Sequence, residues 1–237
     1  MDSIMDVRIE EAGYSEQKAS IFEIEFSLYP GELVGLIGPN GAGKSTTIKA
    51  ILGLLRHMKG DVRFKSGEMS WGYIPEQPVY YNQMTLFEHM ALAAAVYGMS
   101  KEQLKTRGDM LLERFKLKHV KHHYPTSFSK GMKQKMMLII GFLHSPSIYI
   151  IDEPFIGLDP QGMQDLLEFL GEERRRGAAV LMSTHVLDTA EKICERFLVM
   201  REGQLIVAGD LEEIRSRSFR PEGSLFECFQ ILHQGVE

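Results

Sequence analysis

The sequence predicts an α/β fold with a mixed central sheet, an N-terminal antiparallel β subdomain and an inserted α-helical subdomain. Three observations lead there. Short apolar runs, "LVGLIG" from Leu33 to Gly38, "SIYIID" from Ser147 to Asp152 and "AAVLMS" over 178–183, have the texture of strands buried on both faces of a parallel sheet. The segments before residue 30 alternate apolar and polar residues with period two. From about residue 85 the apolar spacing changes to that of helices.

Taken in order, "IMDVRIEEAGY" and "SIFEIEFSLYPGE" are expected strands, with Pro30-Gly31 turning the chain into the first buried strand. A glycine-rich turn follows. "KSTTIKAILGLLR" then places Ile48, Ile51, Leu52 and Leu55 on one helical face. "TLFEHMALAAAVYG" and "KEQLKTRGDMLLERFKL" carry apolar residues at three and four spacing, and the apolar stretch after Ser129 also looks helical. A helix over about 161–176 lies between two buried strands, as a right-handed crossover requires, and "ERFLVMREGQLIVAG" reads as a terminal hairpin. The tail after about Ser218 offers no pattern. The expected organisation is one domain over 1–237: a core lobe (1–84 and 147–217), a helical lobe (about 85–146) and a tail (about 218–237).

With 237 residues, 44% of them hydrophobic, the chain can bury a good core. A formal net charge of −5 gives no global basic field and argues against a protein built to hold nucleic acid. Cys194 and Cys228 lack CxxC spacing, which suits reduced thiols. The start "MDSIMDVRIE" is acidic where a secretory signal is basic, and no apolar run approaches the roughly 20 residues that span a bilayer. The chain is therefore expected to be soluble, with any membrane role supplied by a partner. "HVKHHY", with His119, His122 and His123, lacks a carboxylate or cysteine at a helpful spacing and is expected to be a solvated turn. "EERRRG" over 172–177 places cations at a helix C-terminus, where the dipole accepts them without a partner.

Chemistry concentrates in two motifs. "GPNGAGKST" satisfies GxxxxGK[ST] after a buried strand and at the start of a helix, the context that motif needs. Gly38, Pro39, Asn40, Gly41, Ala42 and Gly43 would form a loop whose N–H groups cradle phosphate oxygens, with the helix dipole behind them. Lys44 would reach the β and γ phosphates, the Ser45 hydroxyl would coordinate Mg²⁺, and Thr46 completes the motif. "IYIIDEP" delivers two adjacent carboxylates at a strand's C-terminal edge, where ligands sit in open α/β sheets. Asp152 suits the metal, and Glu153 suits a general base for an attacking water.

Together with "YIPEQ", "SFSKGMKQK", "GLDP" and "STHVLDTAE", all in order, the chain over about 4–217 resembles the ATP-binding cassette (ABC) ATPases, a class of P-loop NTPase. The resemblance implies a Q-loop with Gln77 near Mg²⁺ and the attacking water, a D-loop with Asp159, and a switch with His185 near the γ-phosphate. It implies two subunits stacked head to tail around ATP, with Ser129 and the Gly131 N–H of one subunit on the γ-phosphate held by the other. Tyr14 lies where family members often place a ring that stacks on adenine. ATP and Mg²⁺ are the implied cofactors. The whole-chain texture is most similar to the ATPase subunits of Ecs-type bacterial exporters, which work with separate polytopic permeases. A peripheral place on the cytoplasmic face of the membrane follows, with a second ATPase subunit, as a homodimer, and no nucleic acid as partners.

Two other readings remain open: a cytosolic cassette protein serving translation or DNA maintenance, and a module that binds ATP without hydrolysing it. A translation factor would carry two cassettes and a chromosome protein a long coiled-coil insertion, and the sequence has neither. Intact Glu153 and His185 favour hydrolysis.

The signature departs from the family's usual LSGGQ, reading Phe128, Ser129, Lys130, Gly131 and Met132. Lysines near a helix start oppose its dipole by about 0.3–1 kcal/mol. Lys130 and Lys133 lie about 60° apart around such a helix, and Lys130 is expected to add a charge-assisted contact near the partner's nucleotide. Lys135 is expected to point elsewhere, to solvent or to an acid.

Overall fold

The computed structural model describes residues 2–15, 18–64 and 70–234, and the last residues of the tail, 235–237, lie outside that description. Its centre is a six-stranded sheet in the order β5-β6-β7-β3-β8-β9. These strands are β3 (Leu33–Ile37), β5 (Trp71–Ile74), β6 (Ile148–Asp152), β7 (Ala179–Thr184), β8 (Arg196–Arg201) and β9 (Gln204–Gly209). The first five pair in parallel, and β9 closes the edge antiparallel to β8 as the predicted hairpin.

The continuous apolar runs have a geometric reason. Successive side chains on a strand point to opposite faces, and here both faces are covered. Val34, Leu36, Ile150 and Leu181 enter one core, while Leu33, Ile37, Ile151 and Met182 enter the other. The first core is closed by α1 (Lys44–Ile51) and by a three-stranded antiparallel sheet, β2-β1-β4, formed by β1 (Met5–Ser15), β2 (Lys18–Leu28) and β4 (His57–Phe64). The second is covered by α2 (Leu86–Val96), α3 (Lys101–Arg114), α4 (Lys130–Phe142) and α5 (Pro160–Arg175).

Three expectations need correction. The helix after the glycine-rich turn stops at Ile51: Leu52 caps it, Gly53 has φ 67°, and Leu55 lies past its end. The glycine adopts the left-handed conformation that stops a helix. The patternless tail after about Ser218 contains α8 (Leu225–Gln234), which packs with α7 (Leu211–Arg217) through buried Ile214, Leu225 and Cys228. The arginines at the C-terminal end of α5 have partners besides the dipole: Arg174 Nε donates to Gly31 O at 3.0 Å and pairs with Glu195, and Arg176 Nη2 donates to Glu173 Oε2 at 2.6 Å. Both cysteines are free and buried, and burial pushes the Cys194 thiol up to about 12.

Candidate functional site

Between β3 and α1 the backbone makes a loop that only glycine fits comfortably. Gly41 and Gly43 have φ of 85° and 107°, and a Cβ on Gly43 would lie 2.8 Å from Ile21 Cγ2. Gly43 occupies the N-cap of α1 and contributes no side-chain cap, so the helix start keeps donors for an external anion. Lys44 is only 6% exposed, and its ammonium donates to Gly38 O at 2.8 Å and Pro39 O at 3.3 Å. A cleft of about 370 Å³ opens here, lined by Asn40, Gly41, Gly43, Lys44, Ser45 and Thr46 on one wall and Glu76, Glu153 and His185 on the other.

Asp152 ends β6 and is 2% exposed; Glu153 follows at φ 48° and is 6% exposed. A left-handed glutamate is uncommon and costs of order 1–3 kcal/mol, so its surroundings must hold it there. They do so through Ser183, the residue opposite Asp152 in the parallel pairing with β7. The Ser183 hydroxyl donates to Asp152 Oδ1 and accepts the Glu153 N–H at 3.0 Å, and the Ser183 carbonyl lies 3.2 Å from that N–H. Glu153 then bridges two cations or potential cations. Its Oε1 is 3.5 Å from Lys44 Nζ, and its Oε2 is 2.8 Å from His185 Nδ1 and accepts the His185 N–H at 3.3 Å. Beside them on β5, burial and then the Asp152 carboxylate push the Tyr73 phenol up to about 12, which keeps it a donor.

The fit to Mg²⁺ rests on the chemistry of the donors. A hydroxyl at Ser45 and a carboxylate at Asp152 are the hard oxygen ligands that Mg²⁺ prefers, with substrate phosphate and water completing its shell. No group of three or more His, Cys, Asp or Glu side chains suited to a metal occurs among the described residues.

Other predicted residues stand apart from the cleft. Gln77 is exposed, and its neighbour Glu76 lines the wall instead. Tyr14 is 56% exposed and accepts a 3.1 Å hydrogen bond at its hydroxyl from Lys49 of α1, whose ammonium is 5.3 Å from the ring centroid. Ser129 caps α4 by accepting the Met132 N–H at 3.2 Å, and Gly131 lies so close to Gly157 that a Cβ would meet its carbonyl at 2.7 Å. Lys130 is exposed with its stem along Gly157. Lys135 goes to an acid: its Nζ is 3.0 Å from Asp159 Oδ1. Ser183 and Ser20, the latter also lining the cleft, were not singled out from the sequence. The register of β6 against β7 is the signal that finds Ser183; Ser20 has none.

Comparison with known proteins agrees with this geometry. The family model described as ABC transporter matches residues 21–156. The ABC transporter ATP-binding protein YthP of Bacillus subtilis strain 168 is 46% identical over 99% of this chain and 99% of its own length. EcsA of the same organism, an ABC-type transporter ATP-binding protein, is 41% identical over 96% of this chain and 95% of its own. A solved ATP-binding subunit of an ABC transporter superposes with a TM-score of 0.91 at 39% identity, covering 97% of this chain and 99% of that one.

Proposed function

Since the chain belongs to the family of ABC transporter ATP-binding subunits, we propose that it hydrolyses Mg²⁺-bound ATP with Glu153 as general base and drives a separate membrane permease. The observation that carries this is the row formed by buried Lys44, buried Glu153 and the more exposed His185 at the mouth of the phosphate loop. A polyphosphate in the cleft competes with Glu153 for Lys44. As Lys44 turns to phosphate, Glu153 is freed to accept a proton from water, a contribution worth about 10² to 10⁴ in rate. His185, held on Glu153 Oε2 at 2.8 Å, would orient that carboxylate and contact the γ-phosphate. Ser45 and Asp152 would hold Mg²⁺, which supplies charge neutralisation for the transferring phosphoryl group, and Gln77 would approach it as the site closes.

In this reading Tyr14 stacks on adenine, and two copies face each other with Ser129, Lys130 and Gly131 of one on the nucleotide of the other and Asp159 alongside. The core lobe holds ATP and the helical lobe over about 85–146 presents the signature. Val79 and Tyr81, 74% and 63% exposed after Gln77, and Val96, 72% exposed on α2, offer an apolar face to a permease. Among the described residues no helix is long and apolar enough to cross a membrane, so a permease partner would supply the span and place the subunit on the cytoplasmic face. Likeness to EcsA, an ABC-type transporter ATP-binding protein, supports a transporter role, and export is the direction proposed from the resemblance of the whole-chain sequence to Ecs-type subunits. Replacing Glu153 by Gln is expected to leave ATP binding in place and lower hydrolysis by about 10² or more, measured as phosphate release beside nucleotide titration. A wild-type protein as slow as this variant, with its permease present, would make the chain an ATP-gated binding module instead.

A further inference from the structure

Of the three lysines near the start of α4, Lys130 is exposed, but Lys133 and Lys135 are not simply solvated. Lys135 is 9% exposed and Lys133 half-buried, and each reaches a different loop. Lys133 places its ammonium 5.4 Å from the centroid of Tyr80, in the segment just after Gln77. Tyr80 packs on the core, and the Tyr81 N–H beside it donates to buried His89 at 2.9 Å, so the ring is a fixed platform. On the other side Lys135 meets Asp159, whose Oδ1 also accepts the Gly162 N–H at 2.9 Å as the N-cap of α5. Gly162 leaves the room for it, since a Cβ there would lie 2.7 Å from Lys135 Cε. The turn between these anchors, holding Ser129 and Gly131, lies against the Gly157 carbonyl.

Burying the Lys135 ammonium costs more than its ion pair with the exposed Asp159 returns, and methionine would fill that place without the cost. Stability therefore does not account for Lys135, and Lys133, half-buried beside the Tyr80 ring, gains only a modest cation–π contact from its place. We propose that Lys133 and Lys135 are positioning residues that splint the signature turn between the loop carrying Gln77 and the loop joining Glu153 to Asp159. A shift of the exposed segment after Gln77 then reaches Ser129 and Gly131 without passing through the phosphate loop. The inference rests on the proposed ATP-bound dimer.

The test uses the full chain carrying Glu153→Gln, which holds ATP, and reads nucleotide affinity by titration and ATP-driven dimerisation by ultracentrifugation. Lys133→Met and Lys135→Met are each expected to weaken dimerisation about threefold to tenfold while ATP affinity at protomer concentrations too low for dimers stays within twofold. Tyr80→Leu should reproduce Lys133→Met, Asp159→Asn should reproduce Lys135→Met, and each matched double variant should lose no more than its singles. Lys133→Arg and Lys135→Arg, which keep the cation, should restore association and remain informative if a methionine variant folds poorly. Unchanged dimerisation in all lysine variants overturns the splint, as does a parallel loss of ATP affinity, which would place the lysines' effect at the phosphate loop. If Glu153→Gln alone stays monomeric with ATP, the dimer reading itself fails and the splint with it.

Discussion

Ser183 is satisfied on both sides of its hydroxyl, giving its proton to Asp152 and taking the N–H of Glu153. It therefore fixes the Asp152 carboxylate and the Glu153 backbone with one atom. Replacing it by alanine leaves a buried acid without that donor and a left-handed residue with a weaker hold, a loss of about 1–3 kcal/mol in stability. The more telling effect is kinetic: kcat is expected to fall about tenfold, which is about 1.4 kcal/mol in the barrier, with ATP affinity within twofold. Steady-state kinetics beside thermal melts check this, and equal losses in kcat and affinity would mean that the serine supports the cleft as a whole. Lys44, Asp152 and Glu153 were legible in the sequence because a loop or strand end of fixed pattern carries each of them. Ser183 was not, because a serine closing an apolar strand is unremarkable until the pairing sets it opposite Asp152.

Among the elements, α2 shows how much a terminus can specify. Thr85 accepts the Glu88 N–H at 3.3 Å while Glu88 Oε2 accepts the Thr85 N–H at 2.6 Å, a reciprocal capping box. Hydrogen bonds from the Thr85 backbone and then its hydroxyl hold the Glu88 carboxyl below the usual range. Since α2 follows directly on the segment proposed to meet the permease, its first turn fixes where that segment ends. Thr85→Ala is expected to cost about 1 kcal/mol, a fall of about 2–4 °C in melting temperature for a chain of this size, with ATP affinity unchanged. Elements of this kind were readable in advance: β3, β6 and β7 because both faces are buried, α2 and α3 because their apolar residues recur at three and four spacing. β4 was not, since its burial alternates in pairs and the residues that pair it to β1 include Gly60, where a Cβ would lie 2.1 Å from Arg8 O. Its place depends on long-range pairing that no local window contains. For the same reason the Lys133 and Lys135 partners were invisible, lying tens of residues away along the chain.

At the scale of the molecule, Glu173 joins three parts of the fold that sequence places far apart. It sits on α5, 4% exposed, and accepts from Tyr149 of β6 at 2.6 Å, from Arg107 of α3 at 2.8 Å and from Arg176 at 2.6 Å. Helix α3 of the helical lobe is thus tied, with α5, to the strand that ends in Asp152, three residues beyond Tyr149. Burial works against the charged carboxylate, but the hydrogen bonds from Tyr149, Arg107 and Arg176 outweigh it and hold the group below its ordinary value. Removing the charge while keeping the shape, as Glu173→Gln does, leaves Arg107, half-buried against Phe169, with a neutral partner. The loss expected at neutral pH is about 1–3 kcal/mol. Its pH dependence follows from the direction of the shift. A carboxyl whose folded pKa is depressed contributes fully above its unfolded value of roughly 4.3, and that contribution disappears as pH falls through the lower folded value. Urea midpoints for wild type and Glu173→Gln should therefore be well separated at pH 7 and converge in acid, whereas Glu25→Gln, which breaks the exposed Arg8 pair, should leave the midpoint where it was. A gap that persists unchanged into acid would assign the loss to packing around Phe169 and Tyr149 rather than to the charge that holds α3, α5 and β6 together.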